Sequence, residues 1–166
     1  MIITPLLVIL MLVVFILLFL FLNTVDKRKW LTFLISLILT PLAYFYVFYP
    51  FINIISNYHH QKYFNSEAWI EKPALRYEMI DSTIETDTLI GKTKSEIEQL
   101  LGKPEWLTWN DAIKNHDNNL WNYGLGIEPG AFTEEKSNVE IKFNNDKVLK
   151  LTTYNEVITY EDEQQD

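Results

Sequence analysis

The chain has 166 residues, 48% of them hydrophobic, with fourteen Lys and Arg against twenty-two Asp and Glu, a net charge of −8 and no cysteine. The missing thiol excludes disulfides, thiolate metal sites, thiol catalysis and a lipidated cysteine from this sequence. The acidic balance disfavours nucleic acid and anionic lipid heads as partners, leaving basic partners or none.

The apolar residues are concentrated at the start. Met1 to Asn23 carries no charged side chain, and eighteen of its residues are Leu, Ile, Val or Phe. Near a bilayer centre such a run favours insertion by about 5–10 kcal/mol, which predicts a transmembrane helix over 1–23. A cleaved signal peptide fits less well. No Lys or Arg precedes the run, it exceeds the usual apolar core of about 7–15 residues, and Asn23-Thr24-Val25 is a poor cleavage site. A turn over 24–29 holds Lys27, Arg28 and Lys29, and a second uncharged run predicts another span over 30–56. The first run has no Gly or Ala, which argues against tight small-residue packing between the spans. Pro41 predicts a kink in the second span. Tyr44, Phe45, Tyr46, Phe48, Tyr49 and Phe51 read as an interfacial aromatic belt, with Trp30 at the opposite interface. Met1–Leu22 and Trp30–Ile55 are the expected lipid contacts. The three cations place the turn in the cytoplasm and both termini outside, in a multi-pass protein of a bacterial cytoplasmic membrane.

Beyond the hairpin, residues 57–64 read as a polar-aromatic connector. About 110 residues then suffice for one small domain over 65–161, with an acidic end over 162–166. Its charge is strongly negative, eleven Lys and Arg against twenty-one Asp and Glu from Asn57 onward. Pro73 suits a first helical position, and Leu75, Met79, Ile80 and Ile84 have helical spacing. Thr93-Lys94-Ser95-Glu96 is a capping box, Ile97, Leu100 and Leu101 form an apolar stripe, and Gly102 with Pro104 ends the helix. Strand patterns follow at Trp106–Asn110, Trp121–Leu125 and Val139–Phe143. Asn144-Asn145-Asp146-Lys147 is turn chemistry before a return strand from Val148 to Tyr154. The fold class expected is α+β: the membrane hairpin, then two helices packed on an antiparallel sheet of three to four strands.

The run Leu89-Ile90-Gly91-Lys92-Thr93, Glu96-Ile97 and Leu100-Leu101-Gly102-Lys103-Pro104 resembles the helix-and-turn signature of SmpA/OmlA (BamE-like) domains. Trp121-Asn122-Tyr123-Gly124-Leu125-Gly126 and the Val139–Leu151 hairpin are similar to that family's sheet. The likeness spans roughly Arg76 to Tyr154. It implies a helix-pair-on-sheet architecture shared with the β-lactamase inhibitory protein, and an envelope protein that acts by binding. Members of the BamE type are tethered by a lipidated cysteine. Here the two-helix hairpin stands in that place.

Chemistry-bearing motifs are sparse. Gly91-Lys92-Thr93 lacks the upstream glycine of a phosphate loop, so turn and cap roles explain it. His59, His60 and His116 lack a carboxylate set that completes a metal shell. Asp111, His116 and Asp117 lie in a polar stretch read as a loop, without the burial that tunes a general base. Trp109, Trp121 and Tyr123 read as core aromatics rather than a stacking platform. The expectation is therefore a non-enzymatic module with no catalytic residue, metal or cofactor. It scaffolds or stabilises an envelope complex through a protein partner. The alternative is an inhibitor or immunity-type module that blocks an extracellular enzyme. The long connection from Ile127 to Asn138 supplies the candidate contact residues Pro129, Gly130, Phe132, Glu134 and Glu135.

The orientation is testable. Replacing Lys27, Arg28 and Lys29 with neutral residues should scramble the location of a reporter fused after Phe64, because these charges supply the topological bias. A reporter location indifferent to all three would remove the basis of the assignment.

Overall fold

The computed structural model describes residues 1–158. The acidic end expected over 162–166 and the last residues of the expected 65–161 domain lie outside the described residues. The architecture is α+β, and the chain separates into two units. Residues 1–60 with 129–132 form one, and the remainder forms the other.

In the first unit, Thr4 caps helix α1 (Pro5–Val25), its hydroxyl accepting the Leu7 N–H at 3.2 Å with Pro5 in the first turn. The Asp26 N–H closes the last turn on the Leu22 carbonyl. The Asp26 carboxylate then takes the Arg28 guanidinium at 2.9 Å, turning the chain into α2 (Lys29–Ala43). A π-helical turn, Tyr44–Phe48, follows Pro41, and a short α3 (Tyr49–Ile52) completes the helical run. Pro5–Val25 and Lys29–Ile52 are both long and apolar enough to cross a membrane. At 1.5 Å per residue they measure about 31 and 36 Å, against a hydrocarbon core of about 30 Å.

The packing of this hairpin corrects one expectation. Small residues do fill its seam, but α2 supplies them. Thr32, Ser36 and Thr40, spaced by four, are all buried, as are Leu7 and Val14 of α1. The Ser36 and Thr40 hydroxyls each donate to the carbonyl four residues back at 2.7 Å, so no polar group is stranded in the seam. Thr32 donates to Asn23 Oδ1 at 2.9 Å. The aromatic belt also loses a member. Tyr44 is completely buried in the hairpin core beside Leu7 and Val14, while Tyr46 and Phe51 are exposed.

In the second unit, Asn65 caps α4 (Ser66–Glu71), which buries Trp69. The sequence pattern missed this helix, because a single anchor in six residues shows no period. The helix expected to begin at Pro73 is divided into a 3₁₀ turn, Pro73–Leu75, and α5 (Tyr77–Glu85). The turn runs so close to the sheet that a Cβ on Gly126 (φ 97°) would lie 2.3 Å from the Ala74 carbonyl oxygen. Helix α6 (Lys94–Leu101) has the expected capping box, and both the Thr93 hydroxyl and N–H are bound to Glu96. Those bonds hold the Glu96 carboxyl below its ordinary range.

Four antiparallel strands follow as a meander, β1 (Trp106–Asn110), β2 (Asn115–Gly126), β3 (Glu135–Asn144) and β4 (Lys147–Val157). Asn145 and Asp146, with φ of 47° and 67°, make the tight β3–β4 turn. One sheet face carries Trp121, Tyr123, Leu125, Val139, Ile141 and Phe143, which close one core with Trp69, Met79, Ile80, Ile97 and Leu101. Burial pushes the Tyr123 hydroxyl well above its ordinary pKa, and it donates to the Gly102 carbonyl at 2.9 Å.

Two segments read as loops are partly strand. Asn115–Asn119 belong to β2 and Glu135–Asn138 to β3. Neither stretch is apolar, and the ladder that holds them is non-local. Leu101→Ala and Phe143→Ala each remove a side chain from the helix-on-sheet core, and each should cost about 2–5 kcal/mol in chemical denaturation. Near-neutral effects at both would contradict the facing assigned to α6 and β3.

Candidate functional site

One buried cation ties the helical layer to the sheet. Arg76, 6% exposed, donates through Nε to the Trp69 carbonyl at 2.8 Å. Its Nη1 donates to Glu105 Oε1 at 2.5 Å and to the Gly124 carbonyl at 2.9 Å. The guanidinium carbon lies 5.1 Å from the centre of the Trp69 ring. The other Glu105 oxygen accepts the Gly124 N–H at 2.9 Å, so β2 is gripped by both backbone groups of one glycine.

Beyond this clip lies the sheet face turned away from the helices. A hydrogen-bonded relay crosses it over all four strands. The Trp106 indole binds the Tyr154 hydroxyl, which donates to Asn122 Oδ1 at 3.0 Å. Asn122 Nδ2 donates to Thr108 Oγ1 at 2.9 Å, and Thr108 donates to Glu140 Oε2 at 2.7 Å. Asn122 is thereby fully buried with its amide satisfied at both ends. Burial raises the Tyr154 pKa, keeping the hydroxyl a donor. A groove of about 420 Å³ runs along this face, lined by Trp106, Thr108, Trp109, Glu140, Tyr154 and Glu156. Such a surface offers broad aromatic contact with a few fixed hydrogen-bonding groups, the composition of a recognition surface.

The residues singled out by the sequence are dispersed. Pro129, Gly130 and Phe132 group with the hairpin unit, where the Ala131 N–H donates to the Asn53 carbonyl at 3.1 Å. Phe132 is 82% exposed. The Glu134 carbonyl accepts from Ile158, and the Glu135 carboxylate accepts from Asn155 at 3.0 Å inside β3. Gly91 (φ 77°) makes a turn whose N–H reaches the Val148 carbonyl. His116 is not in a loop. It sits on β2 opposite Trp109, its ring edge-on to that indole at 5.3 Å and its Nδ1 3.1 Å from the Leu107 carbonyl oxygen. Trp109 is 53% exposed, so it leaves the core to Trp121 and Tyr123.

His60, read as a connector residue, is enclosed by Tyr44, Phe45, Tyr49 and Tyr58 with ring centres 4.3–5.8 Å away, and its Nε2 is 3.0 Å from the Tyr44 hydroxyl. Among the described residues no group of three or more His, Asp or Glu is placed to hold a metal ion.

Compared with protein-family models, with curated proteins and with solved structures, the chain matches none. The likeness to SmpA/OmlA domains rests on its motif residues alone.

Removing the central cation should be costly. Arg76→Ala leaves two carbonyls and Glu105 without their donor, and should lose about 3–5 kcal/mol in urea denaturation. Glu105→Gln keeps one acceptor beside Arg76 but turns its NH2 toward the Gly124 N–H, and should lose less, about 1–2 kcal/mol, since this carboxylate is partly exposed. Equal losses would mean that Glu105 carries the clip as much as Arg76 does.

Proposed function

We propose that this chain is a membrane-anchored binding module, in which the apolar hairpin holds a BamE-like α+β domain against the outer side of a bacterial cytoplasmic membrane. There it scaffolds or stabilises an envelope complex. The two long apolar helices and the cationic turn at Lys27–Lys29 support the anchor and its orientation. The single observation that carries the binding role is the groove across the outer sheet face, with Trp106, Trp109 and Tyr154 around a fixed polar relay. A relay already hydrogen-bonded in the free protein presents its aromatic neighbours without further ordering cost, which favours a protein partner docking on a preformed surface.

The test is photo-crosslinking in intact cells from a probe amino acid at Trp109 or Thr152 on the sheet face, at Phe132 on the 127–134 connection, and at Glu98 on the opposite helix face. The sheet-face positions should capture one recurrent envelope protein and Glu98 should not. Capture from Phe132 but not from the sheet would move the contact to the connection. Capture of a soluble extracellular enzyme would favour the inhibitor reading, and equal capture from Glu98 would end the surface assignment altogether.

A further inference from the structure

Two asparagines on the outer sheet face are buried to the same degree, yet their amides are treated oppositely. Asn122 is satisfied at both ends by Tyr154 and Thr108. Asn138, 1% exposed on β3, has no partner for either Oδ1 or Nδ2. An amide stranded in this way destabilises a fold, a burden retained where something else fills the need. Asn138 lines a cleft of about 380 Å³, the size of small-ligand pockets, in which Pro73, Ala74 and Ile127 contribute apolar wall.

Opposite Asn138 in the β2–β3 register stands Gly124. A Cβ there would come within 3.9 Å of Asn138 Oδ1 and 3.1 Å of Glu105 Oε2, so the glycine keeps the floor of the cleft low. The charges around the cleft are neutralised. Glu105 is held by Arg76 and the Gly124 N–H, and Lys136 pairs with Glu156 at 3.0 Å. Ser137 donates to Asn155 at 3.1 Å.

We propose that this cleft binds an uncharged extended peptide segment, with the Asn138 amide pairing to one N–H and one C=O of its backbone. An Asn side chain presents a donor and an acceptor side by side, and an amide backbone presents the complementary pair. A free ion or a charged headgroup finds no uncommitted opposite charge in the described lining, whereas a small apolar side chain fits the Pro73–Ala74 wall. Both amide atoms of Asn138 are buried in the free chain, so seating the occupant requires the cleft lining to part over them. This deepens the binding-module reading, on which it rests, by naming the partner's chemistry.

The experiment is an NMR titration of the full chain in lipid nanodiscs, with ¹⁵N-labelled Asn and Gly, using N-acetyl-alanine N-methylamide as probe. Saturable shifts are expected at the Asn138 side-chain amide and the Gly124 N–H. The diester analogue, methyl O-acetyl-lactate, which lacks both N–H groups, should bind about tenfold more weakly. Asn138→Leu, close in shape, should abolish the Gly124 shift while melting at an unchanged or higher temperature, because it removes two unpaired polar groups. Absence of saturable shifts, equal binding of the ester, or full binding by Asn138→Leu would each overturn the proposal. Should Asn138→Leu fail to fold, the ester comparison on the parent chain decides. Loss of the titration with sheet-face crosslinks intact would sink the cleft and leave the module reading standing.

Discussion

A guanidinium placed under a small sheet constrains almost everything in the second unit. Arg76 cannot stay buried unless its donors are matched, and the matching groups come from three places in the chain: the Trp69 carbonyl at the end of α4, the Glu105 carboxylate before β1, and the Gly124 carbonyl on β2. Satisfying the cation therefore fixes where α4 stops, where the sheet begins and which glycine faces the helices' connection. The position suits the chemistry at each end. A cation at a helix C-terminus complements the exposed carbonyls, and the planar fork lies on the Trp69 ring. Removing Arg76 leaves two carbonyls and a partly exposed carboxylate without their donor, whereas removing Glu105 leaves the cation its two carbonyls, so the members are not equivalent.

The hairpin obeys a different constraint. Where surroundings are apolar, burial of side chains supplies little drive, and close packing with internally satisfied polar groups has to do the holding. The stripe of Thr32, Ser36 and Thr40 meets both demands, since each is small and the Ser36 and Thr40 hydroxyls return to carbonyls on their own helix. Tyr44 and the aromatic enclosure of His60 extend the same logic to the end of the second helical run, where a polar ring atom is paired to a phenol within a wall of rings.

The outer sheet face is neither a plain solvated surface nor a second core. Large aromatics at Trp106 and Tyr154 share it with amides, a threonine and a glutamate, and the relay fixes these in one arrangement. In the proposed binding role, a rigid polar surface of that kind would discriminate among partners by whether they replace the hydrogen bonds they displace. The contrast between a satisfied Asn122 and an unsatisfied Asn138 on the same face gives that general property a particular location.

Elements that depend on local pattern could be read directly from the order of the residues. Uninterrupted apolar runs marked both long helices, the Thr93–Glu96 box and Gly102 bounded α6, and period-two alternation with Asn145-Asp146 located the β3–β4 hairpin, because caps, turns and periodicity act over a few residues. That order left Ser66–Glu71, Asn115–Asn119 and Glu135–Asn138 outside regular structure, since these are polar stretches held by partners far along the chain. The candidate contact residues were placed on the long connection by its length alone. The groove, the relay and the Asn138 cleft have no local signature, because Trp106, Asn122, Asn138 and Tyr154 stand on four different strands. Only the sheet register brings them side by side, and the same non-local pairing decided that Arg76 would be a buried clip rather than one more surface charge.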